Sequence, residues 1–134
     1  MKQEIKLSYG NTMLRLDHNP TYGWVHGDWV GVHSFETVQK GMEAVLELII
    51  ATNSTKYLSD NTNLIGGWDI ANEWLANDWT PRATAAGMRC VAHVLAPGIY
   101  GQMSMLSLSP HIEQQICLSF FDNIKEAEEW LKTA

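Results

Sequence analysis

The chain has 134 residues, 46% of them hydrophobic and 18% charged, with a formal net charge of −6. That length and balance fit one globular domain with a buried core, and they exclude a disordered or fibrous chain. The negative charge and nine scattered basic residues argue against a sequence-independent grip on nucleic acid or anionic lipid, both of which need clustered Lys and Arg.

The opening MKQEIKLSYG carries charge where a signal peptide needs an apolar stretch, and the longest apolar run, AVLELII, is too short to span a bilayer. A cytoplasmic protein with no membrane span is expected. Ile5 to Tyr9 and Met13 to Asp17 alternate around Gly10-Asn11, a two-residue turn signal, and predict a hairpin. YGWVHGDWVGV predicts a third strand with Trp24, His26, Asp28 and Val30 on one face and Val25, Gly27 and Trp29 on the other. Ser34 is placed to cap a helix whose apolar stripe is Phe35, Val38, Met42, Val45, Leu46 and Ile49, and Asn53-Ser54 ends it. KYLSD is a short fourth strand.

Asp69 is placed to cap a second helix, in which Ile70, Ala71, Trp74, Leu75 and Trp79 share one half of the wheel; Trp74 and Trp79 are therefore read as core. Trp68, before the cap, fits a hydrophobic staple. Pro81 has no N–H for the carbonyl of Asn77 and its ring clashes there, so a kink is expected near Thr80. RCVAHVLAP and QICLSFF lack polar alternation and predict strands covered on both faces, with a short helix, IYGQMSMLSL, between them. Asn123 and Glu126 have capping-box spacing before a last helix that buries Ile124, Ala127, Trp130 and Leu131. Cys90 and Cys117, both in strand-like runs, are read as buried reduced thiols in preference to a redox pair. The order β-β-β-α-β-α-β-α-β-α predicts an α/β fold in one domain, residues 1–134: a mixed sheet with antiparallel N-terminal strands and helices on both sides.

The succession of YLSDN, Trp74, DWTPRATAAGMRCVAHV and a closing FFDNIKEAEEWL resembles a group of small bacterial STAS-like, or SpoIIAA-like, proteins of unestablished function. The likeness runs in order over nearly the whole chain. It implies a mixed sheet with helices on both sides. The best-understood STAS proteins are anti-sigma factor antagonists, switched by phosphorylation of a serine in an Asp-Ser-Gly-like turn that leads into a helix. Here that stretch is Gly66-Gly67-Trp68-Asp69, with no hydroxyl, and Thr62 lies too early. A phosphoserine switch is not expected.

Ligands of open α/β sheets bind beyond the carboxyl ends of the strands, which selects His33, Ser34, Asp60, Asn61, Thr62, Pro97, Gly98, Asp122 and Asn123. Asp60 and Asn61 lead this set because they end a strand without a capping duty. Arg82 either pairs with Asp78, four residues before it, or binds an anion at a pocket rim. His93 is a polar anomaly in an apolar strand, either a satisfied core histidine or a catalytic base. At least one of Trp24 and Trp29, on opposite faces of the third strand, is expected to be exposed at an edge for a partner. His18, His26, His33 and His111 show no metal-ligand spacing, and no cofactor motif is found.

Three functions follow. The first is a non-enzymatic STAS-like module acting by protein-protein interaction or as a homodimer. The second is a carrier of a small apolar ligand or lipid, suggested by CRAL-TRIO folds, with walls from Met103, Met105 and the tryptophans. The third is a hydrolase-like enzyme using His93 with Asp60 or Asp78.

Overall fold

A computed structural model of the chain describes residues 2–6, 10–67, 71–98 and 109–134. Strand β1 (Lys2–Lys6) pairs antiparallel with β2 (Thr12–Asn19), and β2 with β3 (Trp24–Gly31). Residues 7–9 of the expected first strand lie outside the described residues. Gly10 takes a φ of 95°, the left-handed conformation that its turn signal requires. Asn19 turns the chain into β3 by accepting hydrogen bonds from the N–H groups of Thr21 and Tyr22 at 3.0 and 3.1 Å.

Helix α1 (Phe35–Thr52) starts where Ser34 predicts. The Ser34 hydroxyl accepts from the Thr37 N–H at 3.2 Å and the Thr37 hydroxyl accepts from the Ser34 N–H at 2.8 Å, so two orphan donors are satisfied reciprocally. Asn53 closes the helix in the left-handed region. Strand β4 (Lys56–Leu64) runs parallel to β3 and outlasts the expected KYLSD. Asp28 faces Asp60 and Val30 faces Asn63, so Trp29 stands opposite two residues, Asn61 and Thr62, and a bulge carries the ladder onward.

The second helical segment has three pieces: α2 (Asn72–Trp74), a π turn (Leu75–Trp79) and α3 (Thr80–Ala85). The Thr80 N–H reaches the Leu75 carbonyl, five residues back, instead of the usual four. The widened turn immediately precedes Pro81, so the defect expected at the proline takes the form of a π turn. Trp68 and Asp69, with their expected staple and cap, lie outside the described residues, as does the helix expected over 99–108. Strands β5 (Cys90–Val94) and β6 (Cys117–Phe121) extend the parallel part, and α4 (Ile124–Thr133) closes the fold with Asn123 accepting from the Glu126 N–H at 2.9 Å.

The sheet is mixed and six-stranded, in the order β1-β2-β3-β4-β5-β6. From β3 to β6 every step moves the same way across it, and right-handed crossovers of that kind bring their connections to one face. The packing agrees: Val38, Met42 and Ile49 of α1, Leu75 and Trp79, and Ile112 and Ile116 join Leu14, Trp29 and Tyr57 in one core. The other face is packed by α4, whose Ala127 and Leu131 meet Trp24, Leu58, Ala92 and Val94. The expectation of two strands covered on both faces holds for β5 but not for β6, which is the sheet edge and has no fully buried residue.

Candidate functional site

Alternation along β4 sends its polar residues to opposite faces. Asp60 points to the side that carries α4, where its Oδ2 lies 3.6 Å from His26 Nε2 and its Oδ1 accepts from the Thr62 N–H at 3.1 Å and hydroxyl at 2.6 Å. Burial raises the Asp60 pKa, but the His26 and Thr62 contacts outweigh it and hold the carboxyl below its ordinary value. Beside it, Asp28 accepts from Asn63 Nδ2 at 3.2 Å and from Arg15 Nη1 at 3.5 Å, and Arg15 lies 3.8 Å from Glu4. Glu4, Arg15, Asp28 and Asp60 thus form one row across four strands.

Asn61, next along the strand, points the other way and is fully buried, and it does not end the strand, which continues to Leu64. Its Nδ2 donates to Val94 O and Ser59 Oγ, each at 3.1 Å, and lies 3.1 Å from His93 Nε2. Burial drives the His93 pKa down to about 3, with the charge of Asp60 opposing weakly. A base that weak is far from the working range for proton abstraction near neutral pH. The same burial pushes the Tyr57 phenol up to about 12 against hydrogen bonds with Trp29 and Ser59. Ser59, Tyr57, Thr80 and His93 supply the polar lining of a cavity of about 40 Å³, whose apolar lining includes Met42 and Ile112.

Asp60, Arg82 and His93 do not share a site. Arg82 lies on the surface of α3, where it clamps Asp78 through Nε and Nη2, the latter at 2.8 Å, and Glu43 of α1 through both Nη atoms. The expected pair with Asp78 forms, exposed instead of partly buried. With both carboxylates holding it, the guanidinium is already neutralised, and Asp78 faces Arg82 instead of His93. His33 is buried, its ring nitrogens 3.0 Å from Thr37 Oγ1 and 3.1 Å from Val30 O, and burial lowers its pKa against backbone hydrogen bonds.

Several expectations change. Trp24 and Trp29 do lie on opposite faces, but both are buried: Trp24 is stacked on Tyr22 and packed with Leu131, and Trp29 is held inside by α1 and Tyr57. Trp79 is core and donates to Met42 O at 2.8 Å, whereas Trp74 is half-buried, edge-on to Phe35. Cys117 is exposed because its strand, taken for an interior one, is the edge, and Cys90 at the start of β5 is half-buried.

Two exposed residues that the sequence pattern did not single out sit at the carboxyl ends of β3 and β4. Val32 is 69% and Ile65 64% exposed, and their chains run side by side, with the Ile65 N–H donating to Gly31 O at 2.9 Å. At the start of the helix that follows β3, Phe35 lines a surface depression of about 400 Å³ together with Glu73, Trp74, Asn77 and Asp78. Val32 reads as strand in the sequence, and only the early end of β3 leaves it outside the sheet. His26 was placed on the correct face with Asp28, but its partner Asp60 depends on the register of β3 against β4, which no local signal carries.

The chain matches no family model, no curated protein and no solved structure.

Proposed function

We propose that the chain is a STAS-like interaction module that engages a protein partner across the carboxyl ends of β3 and β4. The observation that carries this reading is the exposure of Val32 and Ile65 side by side at the end of the sheet where open α/β folds take their ligands. Large aliphatic side chains left this exposed and adjacent are the kind of apolar surface that a protein partner covers. A mixed sheet with helices packed on both faces is what the STAS resemblance implies, which supports the family part of the proposal.

The carrier reading has less support, since a cavity of about 40 Å³ is far below the roughly 300 Å³ or more that a drug-sized ligand occupies. Its expected walls at Met103 and Met105 lie outside the described residues. The hydrolase reading needs His93 to meet Asp60 or Asp78, but Asp60 points to the opposite face of the sheet and Asp78 is held by Arg82 at the surface.

Site-specific photo-cross-linking tests the proposal. Benzoylphenylalanine at position 32 or 65 is expected to give a discrete adduct, with a second protein or a second copy of this chain, that the same probe at Lys125 on α4 does not. Absence of an adduct at both positions, or equal capture at position 125, would sink the reading.

A further inference from the structure

Cys90 and Cys117 are direct partners in the parallel ladder between β5 and β6. Neighbouring strands lie about 4.8 Å apart, inside the roughly 4.4 to 6.8 Å Cα separation that a disulfide spans. Partners in register face the same side of the sheet, so the two thiols are neighbours on one face. Both are free; Cys117 is exposed on the edge strand, while Cys90 packs against the Trp24, Leu58 and Leu131 cluster under α4. Lys56 and Arg89 bring positive charge to the pair.

We propose that Cys90 and Cys117 form a dithiol site that exchanges with low-molecular-weight disulfides and closes to a cross-strand disulfide between β5 and β6. Cys117, the accessible thiol, attacks one sulfur of the incoming disulfide as the thiolate; a mixed disulfide forms and one small thiolate leaves, taking a proton from solvent. Cys90 then gives up its proton and attacks the Cys117 sulfur, forming the protein disulfide and expelling the second small thiolate. The two protein thiols lose two electrons and two protons, and the oxidant becomes two thiols. Burial, together with the neighbouring Cys117, raises the Cys90 pKa, which fits it to the second, intramolecular step, where proximity compensates for a smaller thiolate fraction. An exposed disulfide of this kind is readily reduced, so the closure is reversible.

Incubation of the purified chain with glutathione disulfide, followed by intact-mass measurement, tests this. The expected product is a monomer lighter by two hydrogens, carrying no glutathione and restored by dithiothreitol. Cys90→Ser is expected to stop at a glutathione adduct on Cys117, and Cys117→Ser to react more than about tenfold more slowly. A wild-type chain that keeps glutathione on Cys117, forms a Cys117-linked dimer, or leaves both thiols unreacted overturns the proposal. The wild-type mass decides closure by itself, and Cys90→Ala repeats the trapping if serine disturbs the packing under α4.

Discussion

At the scale of single residues, the most informative side chain is His93. The sequence marks it as an anomaly between Ala92 and Val94, and the structure resolves the anomaly with Asn61, a residue that sequence reasoning had placed at a strand end. The sign of its pH effect follows from burial. The folded pKa of about 3 lies below the ordinary histidine value, so between about pH 6.5 and pH 3 the unfolded chain binds a proton that the folded chain refuses. Stability therefore falls as the pH drops through that window, by up to about 1.4 kcal/mol per pH unit from this group. His33, also lowered by burial, adds in the same direction. Asp60 acts elsewhere: its lowered pKa confers stability that is present above about pH 4 and lost below it. Urea midpoints of wild type and His93→Gln across this range should show a shallower acid limb in the variant, even if glutamine lowers stability at every pH. Parallel limbs would mean that His93 is charged in the fold.

At the scale of elements, what was legible is what is local. Ser34 before Phe35 and Asn123 before Ile124 announce helix starts because a cap needs only the next three residues, and Pro81 announces a defect because its ring meets its own preceding turn. The extra length of β4, the edge position of β6 and the exposure of Val32 were not legible, because each is set by a neighbouring strand brought in from far along the chain. Between α1 and the helix carrying Arg82, the exposed clamp of Arg82 on Glu43 and Asp78 contributes at most about 1 kcal/mol, as solvent-screened pairs do. The close approach of α1 to the sheet matters more. A Cβ on Gly41 would sit 2.4 and 2.7 Å from two ring carbons of Trp29, which is itself fully buried, and 3.2 Å from Leu14. Gly41→Ala gains about 1 kcal/mol of helix propensity, but overpacking typically costs about 1 to 3 kcal/mol and here has a rigid indole to displace. The expected outcome is net destabilisation, seen as a lower thermal midpoint; a higher one would show that α1 stands further from Trp29.

At the scale of the whole molecule, winding the strands in one direction leaves the sheet with unequal faces. The connections from β3 to β6 crowd one side, and the opposite side is packed by α4, whose ten residues reach Trp24, Leu58, Ala92 and Val94. Glu4, Arg15 and Asp28 lie on the α4 side of the antiparallel strands β1 to β3, which can present one face to water, and Asp60 continues their row onto β4, the first strand of the parallel part. The burden on α4 can be measured through Leu131, which is fully buried and whose carbonyl also accepts from the buried Lys56 ammonium. Leu131→Ala removes the side chain and keeps that carbonyl, so its effect reports packing alone. Truncating a buried leucine costs about 2 to 5 kcal/mol, depending on how far the site collapses. Urea unfolding should therefore show a loss of about 2 to 5 kcal/mol, with an unchanged slope if the native sheet keeps its cover. A loss under about 1 kcal/mol would mean that α4 is peripheral and that Trp24 and Leu58 owe their burial to something other than this helix.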